Sequence, residues 1–273
     1  MRPFPVNIFV RSSPGQYLTG VMKKKLIVSV LGVAGVLVVA ALGLRIYAGI
    51  RAGTGEPTRD VAAERMAPEE RRIGSIQYGV VTGDGQSEAQ FLIEEVIFGR
   101  ENLVEGITDQ LDGSVVLSFE EGTVDIGQFE INVRAIRTRS RSFDIEAENP
   151  NYSDAERDTV IRAFILESGQ DEFEFATFNP TEVRGTPDSF EPGDVLNLEV
   201  TGDLTIRDVT STVMFDMEIQ IDSEEEIAGT ASTVITWDEF DISIPYVGGG
   251  SVVASVDDSV ELRLNFVARR EEA

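Results

Sequence analysis

Residues 195–221, VLNLEVTGDLTIRDVTSTVMFDMEIQI, alternate apolar and polar side chains with a period of two. That spacing gives extended chain with one dry face and one wet face. Leu196, Leu198 and Val200 share the dry face of a first strand. Val213, Phe215, Met217, Ile219 and Ile221 share that of a second, opposite Thr212, Asp216, Glu218 and Gln220, with Met214 the apolar exception. A tight turn at Arg207-Asp208 joins the two. A dry face on long antiparallel strands covers either a packed core or a cavity, and the alternation alone leaves both open.

The same period recurs from Ile73 onward. Ile76, Tyr78 and Val80 alternate, as do Ala89, Phe91 and Ile93, then Val115, Leu117 and Phe119. Phe129, Ile131, Val133 and Ala135 follow, then Phe173 and Phe175, then Ala231, Thr233, Ile235 and Trp237, and finally Val260, Leu262, Leu264 and Phe266. Short alternating runs separated by turn signals predict an all-β fold. About eight antiparallel strands close into a barrel wide enough for packed side chains or for one slender ligand, and closure removes the exposed edges. One segment breaks the pattern. At about 153–166, Ser153 with Glu156 three residues on is a capping-box signature, and Val160, Ile161, Phe164 and Ile165 form a stripe at helical spacing. The expected fold is therefore an antiparallel, eight-stranded, lipocalin-like β-barrel with one inserted helix.

The chain of 273 residues has no Cys and no His. Disulfides, Cys- or His-ligated zinc, His-ligated haem and Ser-His or Cys-His nucleophilic pairs are excluded. All 48 acidic residues lie after Gly55, where only 16 basic residues face them. Such a surface repels nucleic acid and anionic lipid headgroups.

The amino-terminal region has the opposite character. Residues 26–44, LIVSVLGVAGVLVVAALGL, are apolar or small except Ser29, which suits a transmembrane helix. Lys23, Lys24 and Lys25 precede the span and place residues 1–25 in the cytoplasm by the positive-inside rule. The expected localisation is a single-pass membrane protein with its carboxy-terminal domain extracytoplasmic. A cleaved signal peptide and a secreted domain form the alternative, against which the run exceeds a usual signal core and no clear small-x-small cleavage site follows. Met22 with three Lys after it has the form of a natural start, which would make 1–21 a gene-model extension. Residues 45–72, rich in charge, Gly and Pro, read as a linker, and 73–270 as the barrel domain.

Three segments carry a family resemblance. GDLTIRDVTSTVMF (202–215) resembles a G-x-L-T-I-x-G-V-T-x-x-V motif. ERDTVIRAFIL (156–166) with FEFATF (173–178) resembles an R-D-x-x-[IL]-[RK] helix followed by an [IF]-x-F strand. SEAQFLIEEV (87–96) and WDEFDISIP (237–245) resemble an opening S-x-x-x-F-x-[IV] strand and a late D-F-x-[IL]-x-x-P turn. In this order and spacing they resemble the YceI-like family of bacterial extracytoplasmic lipid-binding proteins. Arg207-Asp208 stands where the family usually shows His-Gly; Asp tolerates left-handed backbone, so the turn is expected to survive.

The resemblance implies a barrel holding a long-chain isoprenoid or quinone-type lipid, with no catalytic residue, cofactor or metal. The inward parity then nominates Phe91, Phe129, Ile131, Phe173, Phe175, Leu198, Val213, Phe215, Met217, Trp237 and Phe266 as cavity lining, with Phe164 from the helix. Inward Phe is equally what a filled core shows, so a structural or interaction domain remains an alternative. An enzyme is a further one, confined to carboxylate, Tyr, Ser or metal chemistry; the acid pairs Glu94/Glu95, Glu120/Glu121 and Asp257/Asp258 read as solvated surface, because neighbours on a strand point to opposite faces. The basic run Arg134, Arg137, Arg139, Arg141 and Arg157 is expected to pair with carboxylates, with a phosphate headgroup at the barrel mouth as the second reading.

Overall fold

The computed structural model describes residues 43–67, 71–83, 85–244 and 252–272. The predicted cytoplasmic segment 1–25 and nearly all of the predicted span 26–44 lie outside these residues. Among the described residues, no helix is long and apolar enough to cross a membrane. Two compact units divide the chain, Met1–Tyr47 and Ala48–Ala273.

Among the described residues, twelve strand segments build the second unit. They are β1 (Ile76–Val80), β2 (Glu88–Ile97), β3 (Arg100–Thr108), β4 (Leu111–Ser118), β5 (Thr123–Asn132), β6 (Arg137–Ser140), β7 (Phe175–Arg184), β8 (Val195–Ile206), β9 (Val209–Ile221), β10 (Glu226–Thr236), β11 (Val253–Val256) and β12 (Ser259–Arg270). The sheet runs β1-β4-β5-β7-β8-β9-β10-β12, and β12 pairs back onto β1. That closes an antiparallel barrel.

Eight strand positions accommodate twelve segments because four positions are interrupted. β12 meets β1 through Ala268–Arg270 and β2 through Glu261–Asn265, so β1 and β2 occupy one position at two heights. β4 then pairs β1 while β3 pairs β2. β5 pairs β4 while β6 pairs β3, and β11 extends β12 along β2. The breaks let each long strand bend around a narrow barrel. Pro180 sits at the register shift between β7 and β8, where a missing N–H is tolerated.

The β8–β9 hairpin has the predicted parity: Leu196, Leu198, Val200, Leu204 and Ile206 are buried on β8, and Val213, Met217, Ile219 and Ile221 on β9. At its turn the left-handed residue is Arg207, at φ 57, rather than Asp208. This conformation costs roughly 1 kcal/mol. It is held because Arg207 Nη2 donates to Asp241 O at 2.8 Å and Nη1 to Ile165 O at 3.3 Å.

The segment between β6 and β7 carries short helices at Ile145–Glu148 and Asp154–Val160. Ser153 Oγ accepts from the Glu156 N–H at 3.2 Å, as its sequence predicts. The second helix then widens into a π-turn over Ile161–Ile165, where the Leu166 N–H donates to Ile161 O at 2.9 Å.

The region that reads as a linker is pinned to the barrel wall from Thr58 to Arg65. Arg59 makes a bidentate pair with Glu130, both bonds 2.8 Å, and stacks on the Phe175 ring at 3.7 Å. Arg65 bridges Asp112 and Glu271. The Ala62 and Ala63 N–H groups donate to Glu130 and Asp112, and Thr58 donates twice to Glu174. Acidic residues on the outer barrel wall thus organise this strap. Burial alone would raise the Glu130 carboxyl, but the Arg59 hydrogen bond, the Ala62 N–H and the Arg59 charge outweigh it and hold it below its ordinary value.

Candidate functional site

The barrel is filled in one half and hollow in the other. Leu196, Leu198, Val200, Ile219, Ile221, Ile227, Tyr78, Leu117 and Ala268 are buried in one continuous core, capped by Phe119 and Phe190 with ring centroids 5.5 Å apart. Toward the inserted helix, a partly open cavity of about 340 Å³ replaces that packing. Val252, 41% exposed, lines it and marks the rim.

The wall of the cavity is aliphatic and aromatic. β2 gives Phe91 and Ile93, β5 gives Phe129 and Ile131, β7 gives Ala176 and Phe178, and β9 gives Phe215 and Met217. Ala231, Ile235, Trp237, Val260, Leu262 and Leu264 come from β10, the turn after it and β12. The helical segment contributes Val160, Ile161, Ile165 and Leu166.

Glycine holds several rings against the wall. Phe91 lies across Gly106, its partner on β3, and Phe129 lies across Gly113 on β4; a Cβ on either glycine would collide with the ring, at 2.0 and 2.4 Å. Removing the opposing side chain lets each ring lie flat along the sheet instead of projecting into the lumen.

Six of the twelve nominated residues line this cavity: Phe91, Phe129, Ile131, Phe215, Met217 and Trp237. The other six do not. Leu198, Val213 and Phe266 point inward and are buried, but they belong to the packed core, Phe266 against Phe129 at 5.6 Å. Parity identifies their face but not their height in the barrel. Phe173 lies in a 3-10 turn before β7, and Phe175 faces outward onto Arg59. There the inward positions are Ala176 and Phe178, one residue out of the sequence-based register. The cause is Glu174, fully buried between Arg134, Asn132 and Thr58, where the alternation places a solvated acid. Phe164 leaves the cavity because the π-turn rotates it away from Ile161 and Ile165. It packs with Ala48, Ala52 and Ala163.

The wall also holds a polar locus absent from the nominated set. Glu95, Tyr152 and Arg157 line the cavity. Arg157 Nη2 donates to Glu95 Oε1 at 2.9 Å and Nη1 to Asp154 Oδ1 at 2.6 Å, while Asn102 also donates to Glu95. Two carboxylates thus neutralise the guanidinium, as buried charge requires. Arg157 Nε is buried and has no hydrogen-bond partner among the described residues. Burial pushes the Tyr152 phenol up, against the opposing charge of Arg157. Glu95, which the sequence reads as surface, is therefore an interior group. The sequence signal for it is the R-D pair Arg157-Asp158 on the capped helix, whose arginine needs a buried acid once that helix packs on the barrel.

The rest of the basic run follows its expected chemistry with one exception. Arg134 pairs with Glu174 and Asp171, and Arg139 and Arg141 both pair with Glu105. Arg137, among the described residues, reaches only the backbone oxygens of Ala135, Ile136 and Gly55. Among the described residues, no group of three or more acidic side chains is placed to hold a metal ion.

No curated protein matches the chain. Similar solved structures include a polyisoprenoid binding domain from Saccharophagus degradans, at 12% identity and TM-score 0.47, covering 72% of this chain and 99% of that one. Burkholderia cenocepacia BcnA is similar at 16% identity and TM-score 0.47, covering 68% and 99%. A Campylobacter jejuni YceI protein is similar at 16% identity and TM-score 0.42, covering 62% and 85%. The YceI-like domain model matches residues 82–268, more than half of the chain, and the chain therefore belongs to the YceI-like family.

Proposed function

We propose that this protein is a lipid carrier that holds a long-chain isoprenoid, of quinone type, in the hollow half of its barrel. The observation that carries the reading is the cavity itself: about 340 Å³, walled almost wholly by apolar side chains and partly open at its rim. A volume of this size falls at the lower end of ordinary small-molecule sites. A slender flexible chain fits it better than a fused ring system, because aliphatic groups line it from several strands and from the π-turn.

The headgroup follows from the polar locus. Arg157 carries a spare Nε donor but no spare charge, since Glu95 and Asp154 neutralise it. That arrangement suits a carbonyl oxygen, which accepts a hydrogen bond without bringing charge into an apolar site. A phosphate there would face two carboxylates, the buried Glu95 and the half-buried Asp154.

Tethering is part of the same proposal. The apolar run 26–44 would hold the domain at the membrane, on its extracytoplasmic side, next to the bilayer that stores apolar lipids. No step of the proposed activity requires catalysis.

Trp237, the chain's one tryptophan, lines the cavity and reports occupancy. A quinone carrying a short isoprenoid tail should quench its fluorescence saturably, and an isoprenoid alcohol of the same tail length should displace that quinone with weaker affinity. If neither binds, the carrier reading fails; if both bind equally, the quinone assignment fails.

A further inference from the structure

Among the described residues, three arginines are buried: Arg134, Arg157 and Arg162. Arg134 has Glu174 and Asp171, and Arg157 has Glu95 and Asp154. Arg162, 9% exposed, forms no ion pair among the described residues, and its Nε and Nη1 meet no hydrogen-bond partner. The nearby acid, Asp158, is occupied otherwise: its Oδ1 accepts from the Thr138 N–H at 2.8 Å and from the Thr138 hydroxyl at 2.7 Å. A lone buried cation is costly, and proteins ordinarily supply it with a counter-charge.

Here a second cation approaches instead. The Cβ that Gly55 lacks would stand 3.2 Å from Arg162 Cζ and 3.3 Å from Arg137 Nη2. Both guanidiniums therefore converge on one glycine just before the strap, at φ +75, where a Cβ would crowd them. Among the described residues, Arg137 is the one member of the basic run without a carboxylate, and its side chain is exposed. Burial first, and then the Arg137 charge, hold the Arg162 guanidinium below its ordinary pKa, with only Asp158 opposing. In a chain of net charge −25, two facing arginines without an acid between them mark a place where the counter-ion comes from outside.

We propose that Arg137 and Arg162 form a binding site for a phosphate oxyanion at Gly55, just before the strap and distinct from the apolar cavity. Guanidinium forks match the geometry of phosphate oxygens and bind them bidentately. Neither arginine is among the cavity-lining residues, so this site serves a second ligand rather than the isoprenoid chain. The phosphate is either free in solution or borne by a membrane lipid.

The test uses the full chain in a detergent with an uncharged headgroup, titrated with inorganic phosphate and, in a second arm, with dihexanoyl phosphatidic acid. Ionic strength is held constant with chloride, and thermal unfolding is the readout. Wild type should unfold at higher temperature with phosphate than with chloride. Saturation by the phosphatidic acid at lower concentration assigns the site to lipid headgroups, and equal saturation assigns it to free phosphate. Arg162→Gln should unfold at the same or a higher temperature than wild type in chloride, because it removes an uncompensated buried charge, and should lose the response to both ligands. Arg137→Gln, at an exposed position that the fold tolerates, should weaken both by roughly tenfold or more. A wild type indifferent to phosphate overturns the proposal, as does an undiminished response in either variant.

Discussion

Ala231→Leu puts the hollow half of the barrel to a quantitative test. Ala231 is 4% exposed, pairs with Met217 and Leu264 across the sheet and lines the cavity, so a longer side chain there has only the lumen to enter. Leucine adds three carbons. Each apolar carbon moved from water into an apolar site contributes about 0.8 kcal/mol, and a ligand that loses the room for three of them loses about 2.4 kcal/mol, or roughly 60-fold in affinity. The same carbons fill empty volume in the lipid-free protein, so its stability should hold or rise rather than fall. Quenching of Trp237 by an isoprenoid quinone measures the affinity, and thermal unfolding of lipid-free protein measures the stability. A variant that binds as tightly as wild type, or that binds weakly only because it has unfolded, refutes the assignment of this volume to the ligand.

Four further outcomes follow from the same geometry. Leu198→Ala, in the packed half, should cost about 2–5 kcal/mol in denaturant unfolding and leave quinone affinity unchanged, because it opens its void away from the ligand. Phe175→Ala should leave the affinity unchanged in the quenching titration, since its ring stacks on Arg59 outside the barrel. The strap should detach in acid: the Glu130 carboxyl is held below the ordinary value of 4.5, so the stability it contributes is present above that pH and lost as pH falls through its folded-state value. Hydrogen exchange at the Ala62 and Ala63 amides should accelerate over that interval, and Arg59→Gln should produce the faster exchange already at neutral pH.

The barrel was legible because its longest hairpin states its parity without ambiguity, and because the strands between Ile76 and Phe266 repeat it. What the alternation does not encode is height. Leu198, Phe266 and Phe215 all point inward, yet only Phe215 reaches the cavity, because strand tilt and stagger decide which inward residues share a layer. Two local features shifted the faces. A buried acid, Glu174, reversed the parity at the start of β7, and a π-turn moved Phe164 off the helix stripe. Both depend on partners distant in sequence: Thr58 and Arg134 for the acid, and Ala48 and Ala52 for the ring. The strap was hidden for the same reason. Its charged, Gly- and Pro-containing composition is that of a tether, and only the closed barrel brings Asp112, Glu130 and Glu271 to its arginines. The Glu95–Arg157 pair likewise needs the helix docked before either residue looks unusual.

The carrier account is tested most directly by what the protein holds when it is made in its native cell. Organic extraction of the purified full chain, followed by mass spectrometry, should release a long-chain isoprenoid bearing a carbonyl-type head, close to one per protein, and Ala231→Leu should release much less. An extract free of such lipid, from protein that still shows the hollow half by crystallography, would contradict it.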